Sequence, residues 1–155
     1  MIRPMYTTIV VGTDGSDSAA IAVREAADLA RAAGGTLHIV HAYTPVDMAK
    51  LTMAAGTGGA NIDIEGLNNG LEEGARRVCA DAGSAERLGD LACETHVVPG
   101  DPCDALISVA EQVHADLIVV GNRGMTGLKR FVLGSVPNKI SHHAPCSVLI
   151  ANTVS

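Results

Sequence analysis

The chain contains no tryptophan, one phenylalanine and two tyrosines in 155 residues. That poverty of aromatic rings excludes a surface that stacks nucleic-acid bases. A net charge of −6 also argues against a phosphodiester backbone, so no nucleic-acid partner is expected. The four cysteines, Cys79, Cys93, Cys103 and Cys146, form no Cys-x-x-Cys pair and no zinc spacing. With no N-terminal secretory signal, they read as free thiols of a reducing cytosol, and a cytoplasmic location is expected. Apolar runs are too short to span a bilayer, which removes a membrane partner. No Gly-Lys-Ser/Thr triplet occurs, so a Walker phosphate loop is excluded. Nor does Gly-x-Gly-x-x-Gly follow the first strand, so the usual dinucleotide fingerprint is missing. Finally, the C-terminal part lacks acids. All 17 acidic residues precede Leu117, leaving a net −10 before it and +4 after it. An anionic ligand would be drawn to the C-terminal third, although four charges can also cluster by chance.

What is present is largely Ala, Val, Ile and Leu, in a pattern that alternates strands with helices. The length fits one domain, 1–155, able to bury its own core. Thr7 to Gly12 is a β-branched run ending at glycine, as a buried parallel strand does. The turn Gly12-Thr13-Asp14-Gly15-Ser16 leads into a helix capped by Ser16 or Ser18 and stopped at Gly34-Gly35. Asp14 lies at the carboxyl end of this strand, where it can form the turn or meet a ligand. Thr36 to Ala42 is the second strand; His38 and His41 within it read as packed, hydrogen-bonded residues rather than metal ligands. The stretch 45–60 runs into Gly56-Thr57-Gly58-Gly59 and reads as a flexible insertion in preference to a flap over a ligand.

A helix over 62–82 follows. Gly66, Gly70 and Gly74 recur along one of its faces at about 1 kcal/mol each relative to alanine, which predicts close approach to the sheet or to a partner. Leu91 to Val98 is a more polar third strand, expected at a sheet edge. Asp101 and Pro102 start the next helix as N-cap and first helical residue. Asp116 opens the fourth strand, and after Ala144-Pro145 a fifth strand spans 146–151. His142 and His143, adjacent on the last helix, read as solvent-facing.

The most informative stretch lies between the fourth strand and the last helix. Gly121-Asn122-Arg123-Gly124 is followed by nine residues and then Gly134-Ser135. Ser135 is expected as the helix N-cap, with Pro137 placed where no intrahelical N–H is needed. Glycines allow a backbone to approach an oxygen closely, and a helix start offers unpaired N–H groups at the positive end of its dipole. Arg123, Lys129 and Arg130 add charge. The stretch reads as a phosphate cradle, although glycine-rich turns after strands also serve structure alone.

Gly, two residues, Gly, nine residues, then Gly-Ser resembles the motif of ATP-binding members of the universal stress protein family. The similarity extends from Ile9-Val10-Val11-Gly12-Thr13-Asp14 to Cys146-Ser147-Val148-Leu149-Ile150, nearly the whole chain. It implies an α/β fold: an open five-stranded parallel sheet of strand order 3-2-1-4-5, helices on both faces, of the adenine nucleotide alpha hydrolase-like, Rossmann-like kind. The first and fourth strands are then neighbours, and ligands of such sheets sit at that switch point. The resemblance further implies that Gly12, Thr13, Asp14, Ala42, Gly121, Arg123, Gly124, Gly134, Ser135 and Val136 contact the nucleotide. In that scheme the Ala42 backbone meets the base, and Asp14 meets the ribose or a bridging Mg²⁺. The run 146–151, short and apolar at an expected sheet edge, supports a homodimer through that strand, and the resemblance also favours a dimer.

No complete nucleophile–base pair or arginine finger is recognisable, so an ATP-binding, sensing protein with at most slow hydrolysis is expected rather than an enzyme. Cyclic AMP is the alternative ligand. A dimeric interaction module indifferent to ligand is the alternative from another class.

Overall fold

The computed structural model describes residues 5–56, 61–122 and 133–153. Five strands, β1 (Thr8–Gly12), β2 (Thr36–Tyr43), β3 (Cys93–Pro99), β4 (Leu117–Gly121) and β5 (Ser147–Ala151), form one sheet. Its order is β3-β2-β1-β4-β5 and every pairing is parallel, as expected. Six helices connect them among the described residues: α1 (Asp17–Ala33), α2 (Met48–Ala55), α3 (Ile64–Ala82), α4 (Ala85–Leu88), α5 (Pro102–Gln112) and α6 (Ser135–His143).

Side chains alternate across each central strand, so both faces must be covered. Ile9, Val11, Leu37, Ile39, Leu117 and Val119 pack with the alanine-rich stripe of α1 and with Cys79 of α3. Val10, Val40, Ile118 and Val120 pack instead with Leu106 and Val109 of α5 and Ile140 of α6. The helices after β1 and β4 therefore lie on opposite faces of two adjacent strands, the condition for a crevice at their carboxyl ends.

Three expectations are refined by the structure. The stretch 45–60 contains α2, capped by the Asp47 carboxylate on the Ala49 amide. Its entry is tied to α3 by Val46 N donating to Asn68 Oδ1, at 2.7 Å, and by Asn68 Nδ2 donating back to the Val46 carbonyl. Met, Ala, Lys and Leu are good helix formers, a signal overshadowed by the glycines that follow; residues 57–60 lie outside the described residues. Second, of the two neighbours expected for the glycine face of α3, the sheet or a partner, the sheet is not one. A Cβ at Gly70 or Gly74 would meet nothing within 4 Å. Ala75 and Cys79, four residues apart, mark the buried stripe, and the glycines lie one position off it. Third, Ser135 is the first residue of α6, whose N-cap is Gly134.

The cysteines are free, with Cys79 and Cys103 buried and Cys93 and Cys146 half-buried. Burial pushes the Cys79 thiol up to about 11 and raises the other three. At pH 8 roughly one Cys79 in a thousand is then a thiolate, the reactive form. Iodoacetamide should leave Cys79 unlabelled in the native protein and modify all four thiols in urea. Rapid native labelling of Cys79, read by peptide mass spectrometry, would contradict this packing.

Candidate functional site

A hollow of about 200 Å³ opens at the carboxyl ends of β1 and β4. Eight of the ten expected site residues line it: Gly12, Thr13, Asp14, Ala42, Gly121, Gly134, Ser135 and Val136. Arg123 and Gly124 lie outside the described residues. Segments more than a hundred residues apart thus meet because β1 and β4 pair in parallel, with Val11 opposite Val119.

The β1 exit is tightly held. Thr13 N donates to the Val40 carbonyl at 2.9 Å, and Thr13 Oγ1 accepts from Gly15 N. His41 Nδ1 lies 2.7 Å from the Thr13 carbonyl; a carbonyl only accepts, so Nδ1 carries the proton. Hydrogen-bonded packing is therefore the role of His41. Asp14 Oδ1 accepts from Ser16 N at 2.9 Å, which makes Asp14 the turn former and leaves Oδ2 as the oxygen available to a ligand. Ser16 in turn caps α1 through Ala19 N.

Ala42 follows from strand geometry. Thr36 N bonds the Thr7 carbonyl and the Val40 carbonyl accepts from Thr13 N, so even-numbered residues of β2 direct their backbone groups toward β1. The β1–β2 register ends at Gly12 opposite Val40. Ala42, two residues further, therefore presents one N–H and one C=O past the tip of β1, beside the hollow.

Helix starts differ in what they offer. α1 begins with a Ser16 cap and Asp17. α5 begins with Asp101, whose carboxylate accepts from the Cys103 and Asp104 amides, and Asp104 follows. The Asp104 amide is the main cause that holds the Asp101 carboxyl below its usual range, with help from Lys139. Lys139 Nζ lies 3.3 Å from Asp101 and 3.1 Å from Asp104, so this cation of the C-terminal third is already paired. α6 has no side-chain cap and no acid in its first turn. Among the described helices it alone has neither. The amides of Ser135 and Val136 head it, where an α-helix supplies no carbonyl of its own.

Gly134 is also informative. Its φ of −59° suits any residue, and a Cβ there would come no nearer than 3.5 Å to the Asn122 carbonyl. Neither backbone strain nor packing against the described residues calls for glycine, whereas a ligand against the backbone would. Its own amide, expected among the phosphate donors, instead donates to the Asn122 carbonyl at 3.3 Å. Asn122 was not singled out from sequence. Its Oδ1 accepts from Thr153 N and Thr153 Oγ1, so it ties the β4 exit, the start of α6 and the C-terminal tail together. An Asn directly after a strand-ending glycine is the available sequence signal.

A larger hollow, about 320 Å³, lies between α1 and the α3–α4 region. Asp17, Asp81, Arg24 and Arg87 line it, with Arg87 engaged by Asp81 at 3.1 Å, so its acids and bases balance and it has no excess of positive charge to draw a polyanion.

The universal stress protein family model matches residues 5–152. The chain belongs to that family. Universal stress protein Rv1636 of Mycobacterium tuberculosis is 38% identical over 155 residues, covering 96% of this chain and 97% of the relative. A universal stress protein solved in complex with cAMP is 34% identical, with a TM-score of 0.70 over 97% of this chain and 99% of its own. The Archaeoglobus fulgidus universal stress protein solved in complex with dAMP is 26% identical, with a TM-score of 0.54 over 94% and 98%. No helix of the described part of this universal stress protein is long and apolar enough to cross a membrane.

Proposed function

We propose that this universal stress protein binds an adenine nucleotide, ATP foremost, in the hollow between β1 and β4, and acts as a binding and sensing module in the stress response. The observation that carries the reading is the start of α6, which borders that hollow without an acid or a side-chain cap. A polyphosphate supplies the missing negative charge. The Ser135 and Val136 amides and the Ser135 hydroxyl hold phosphate oxygens; Arg123 and Gly124, which lie outside the described residues, are assigned to the same role from the family motif. Gly12, Gly121 and Gly134 let the ligand come close to the backbone. The Ala42 N–H and C=O match the donor and acceptor of an adenine edge. Asp14 takes the ribose hydroxyls or a Mg²⁺ held jointly with the phosphates, since one carboxylate does not make a magnesium site by itself.

Cyclic AMP is a second reading, favoured by the relative solved with that ligand. Turnover is at most slow in this reading, since among the described residues that line the hollow there is no nucleophile–base pair. The edge strand β5, with Ile150 38% exposed, is the surface through which a homodimer forms. Four free thiols agree with a cytoplasmic setting.

Calorimetric titration of ATP, AMP and cyclic AMP against one preparation tests the reading and ranks the ligands. No heat and no thermal shift with any of them would end it. Asp14→Ala should weaken ATP about tenfold. A loss confined to buffers containing Mg²⁺ assigns the carboxylate to the metal, and an equal loss in chelator assigns it to the ribose.

A further inference from the structure

At the other end of β2, three potential metal ligands converge. His38 pairs in register with Glu94, and His96 follows Glu94 by two residues, so all three side chains lie on one face of the sheet. His38 Nδ1 is 3.0 Å from His96 Nε2 and 3.7 Å from Glu94 Oε2. The three ligand atoms all fall within 4.8 Å of one another. Donors bound tetrahedrally to zinc at its usual bond lengths are about 3.3 Å apart, a value these two distances bracket. The His38 side chain is only 7% exposed, whereas that of Glu94 is 66% exposed because β3 is the sheet edge. The backbone therefore fixes one imidazole inside, the second beside it, and a carboxylate that can swing in from solvent.

A single proton on His38 Nδ1 can bridge to one neighbour only. The 3.7 Å separation from Glu94 is too long for a hydrogen bond. A cation placed among the three would engage both nitrogens and the carboxylate together. The other acidic grouping, Asp101, Cys103 and Asp104, is unlike it. There Lys139 already supplies the positive charge, and Asp101 is committed to capping α5.

We propose that His38, Glu94 and His96 form a binding site for a borderline divalent cation, zinc foremost, which clips the edge strand β3 to β2. Two imidazoles and one carboxylate select zinc, copper(II) or nickel(II) over magnesium and calcium, which prefer oxygen ligands. The exposed side leaves room for water as the remaining ligand. Four residues along β2, about 13 Å, separate His38 from Ala42, so the site is distinct from the nucleotide hollow and does not depend on it.

The test uses untagged protein, stripped with EDTA and dialysed, then titrated with zinc sulfate against a chromophoric chelator. One zinc per chain is expected, with a rise in melting temperature. Glu94→Gln and His96→Gln, both on the edge strand, should each weaken zinc at least about tenfold, the low end of what even outer-shell changes cost. Both variants should keep the wild-type circular dichroism and metal-free melting temperature. Cobalt(II) should give a visible spectrum without a thiolate charge-transfer band, and ATP should not compete. Zinc affinity unchanged in the double variant, or a cobalt–thiolate band, would overturn the site, as would failure to retain stoichiometric zinc against the chelator.

Discussion

Ser135→Glu should abolish nucleotide binding while leaving the fold as stable as before, or slightly more so. A carboxylate in the first turn of a helix interacts favourably with the dipole, by about 0.3–1 kcal/mol. α6 has no acid there at present, and Ser135 is exposed, so the substitution creates no crowding. The same carboxylate would stand where the phosphates are held. Two like charges about 4 Å apart near a protein surface repel by roughly 4 kcal/mol at an effective dielectric near 20. That corresponds to about a thousandfold in affinity. Stability and binding therefore move in opposite directions, an outcome that a mere loss of folding cannot imitate. Ser135→Gln, similar in size but neutral, should lose about tenfold at most. High salt should restore part of the loss for Glu but not for Gln. Calorimetry with ATP and urea unfolding read the two sides. Unchanged ATP affinity in Ser135→Glu, with ATP still bound by the wild type, would move the phosphates away from α6.

Much of the site was legible because its chemistry is local in sequence. The Gly-Ser start of α6 and the β1 exit turn each show themselves within a few residues. Their meeting was not legible from spacing, since it depends on the β1–β4 pairing, and the strand order came from family resemblance. Ala42 left no side-chain signature; it is expected from family resemblance alone, and its nearness to the hollow follows from the side of β2 on which its backbone groups emerge. The capping detail at α6 misled for a physical reason: Ser is the better N-cap, but the cap position falls one residue earlier, at Gly134, and the helix begins with Ser135 itself. The glycine stripe of α3 misled differently. Regular spacing announces a face but not what the face meets, and the sheet is not what this one meets. His38 appeared merely buried in its own strand, because its partners Glu94 and His96 arrive from a strand more than fifty residues later.

The structure also separates two adjacent glycines that look alike in the sequence. Gly34 has φ 64°, with nothing within 4 Å of a Cβ. Gly34→Ala should cost about 1 kcal/mol, the penalty of a left-handed conformation. Gly35 has no such conformation, yet a Cβ there would lie 2.3 Å from the Thr7 carbonyl oxygen and 2.8 Å from the Thr7 Cα. One of the two backbones must move. Thr7 is poorly placed to yield: its carbonyl accepts from Thr36 N at 2.8 Å, and its amide and hydroxyl both donate to Asp116 Oδ2 at 3.0 Å. Asp116 Oδ2 also accepts from Thr8 N, so displacing Thr7 disturbs the start of β1 and its junction with β4 together. Gly35→Ala should therefore cost about 3 kcal/mol or more, the upper range for overpacking. In a chain of this size that lowers the melting temperature by roughly 10 °C. Urea unfolding of both variants provides the comparison, and a Gly35→Ala cost no greater than that of Gly34→Ala would mean that the α1–β2 turn is looser than its contacts with Thr7 require.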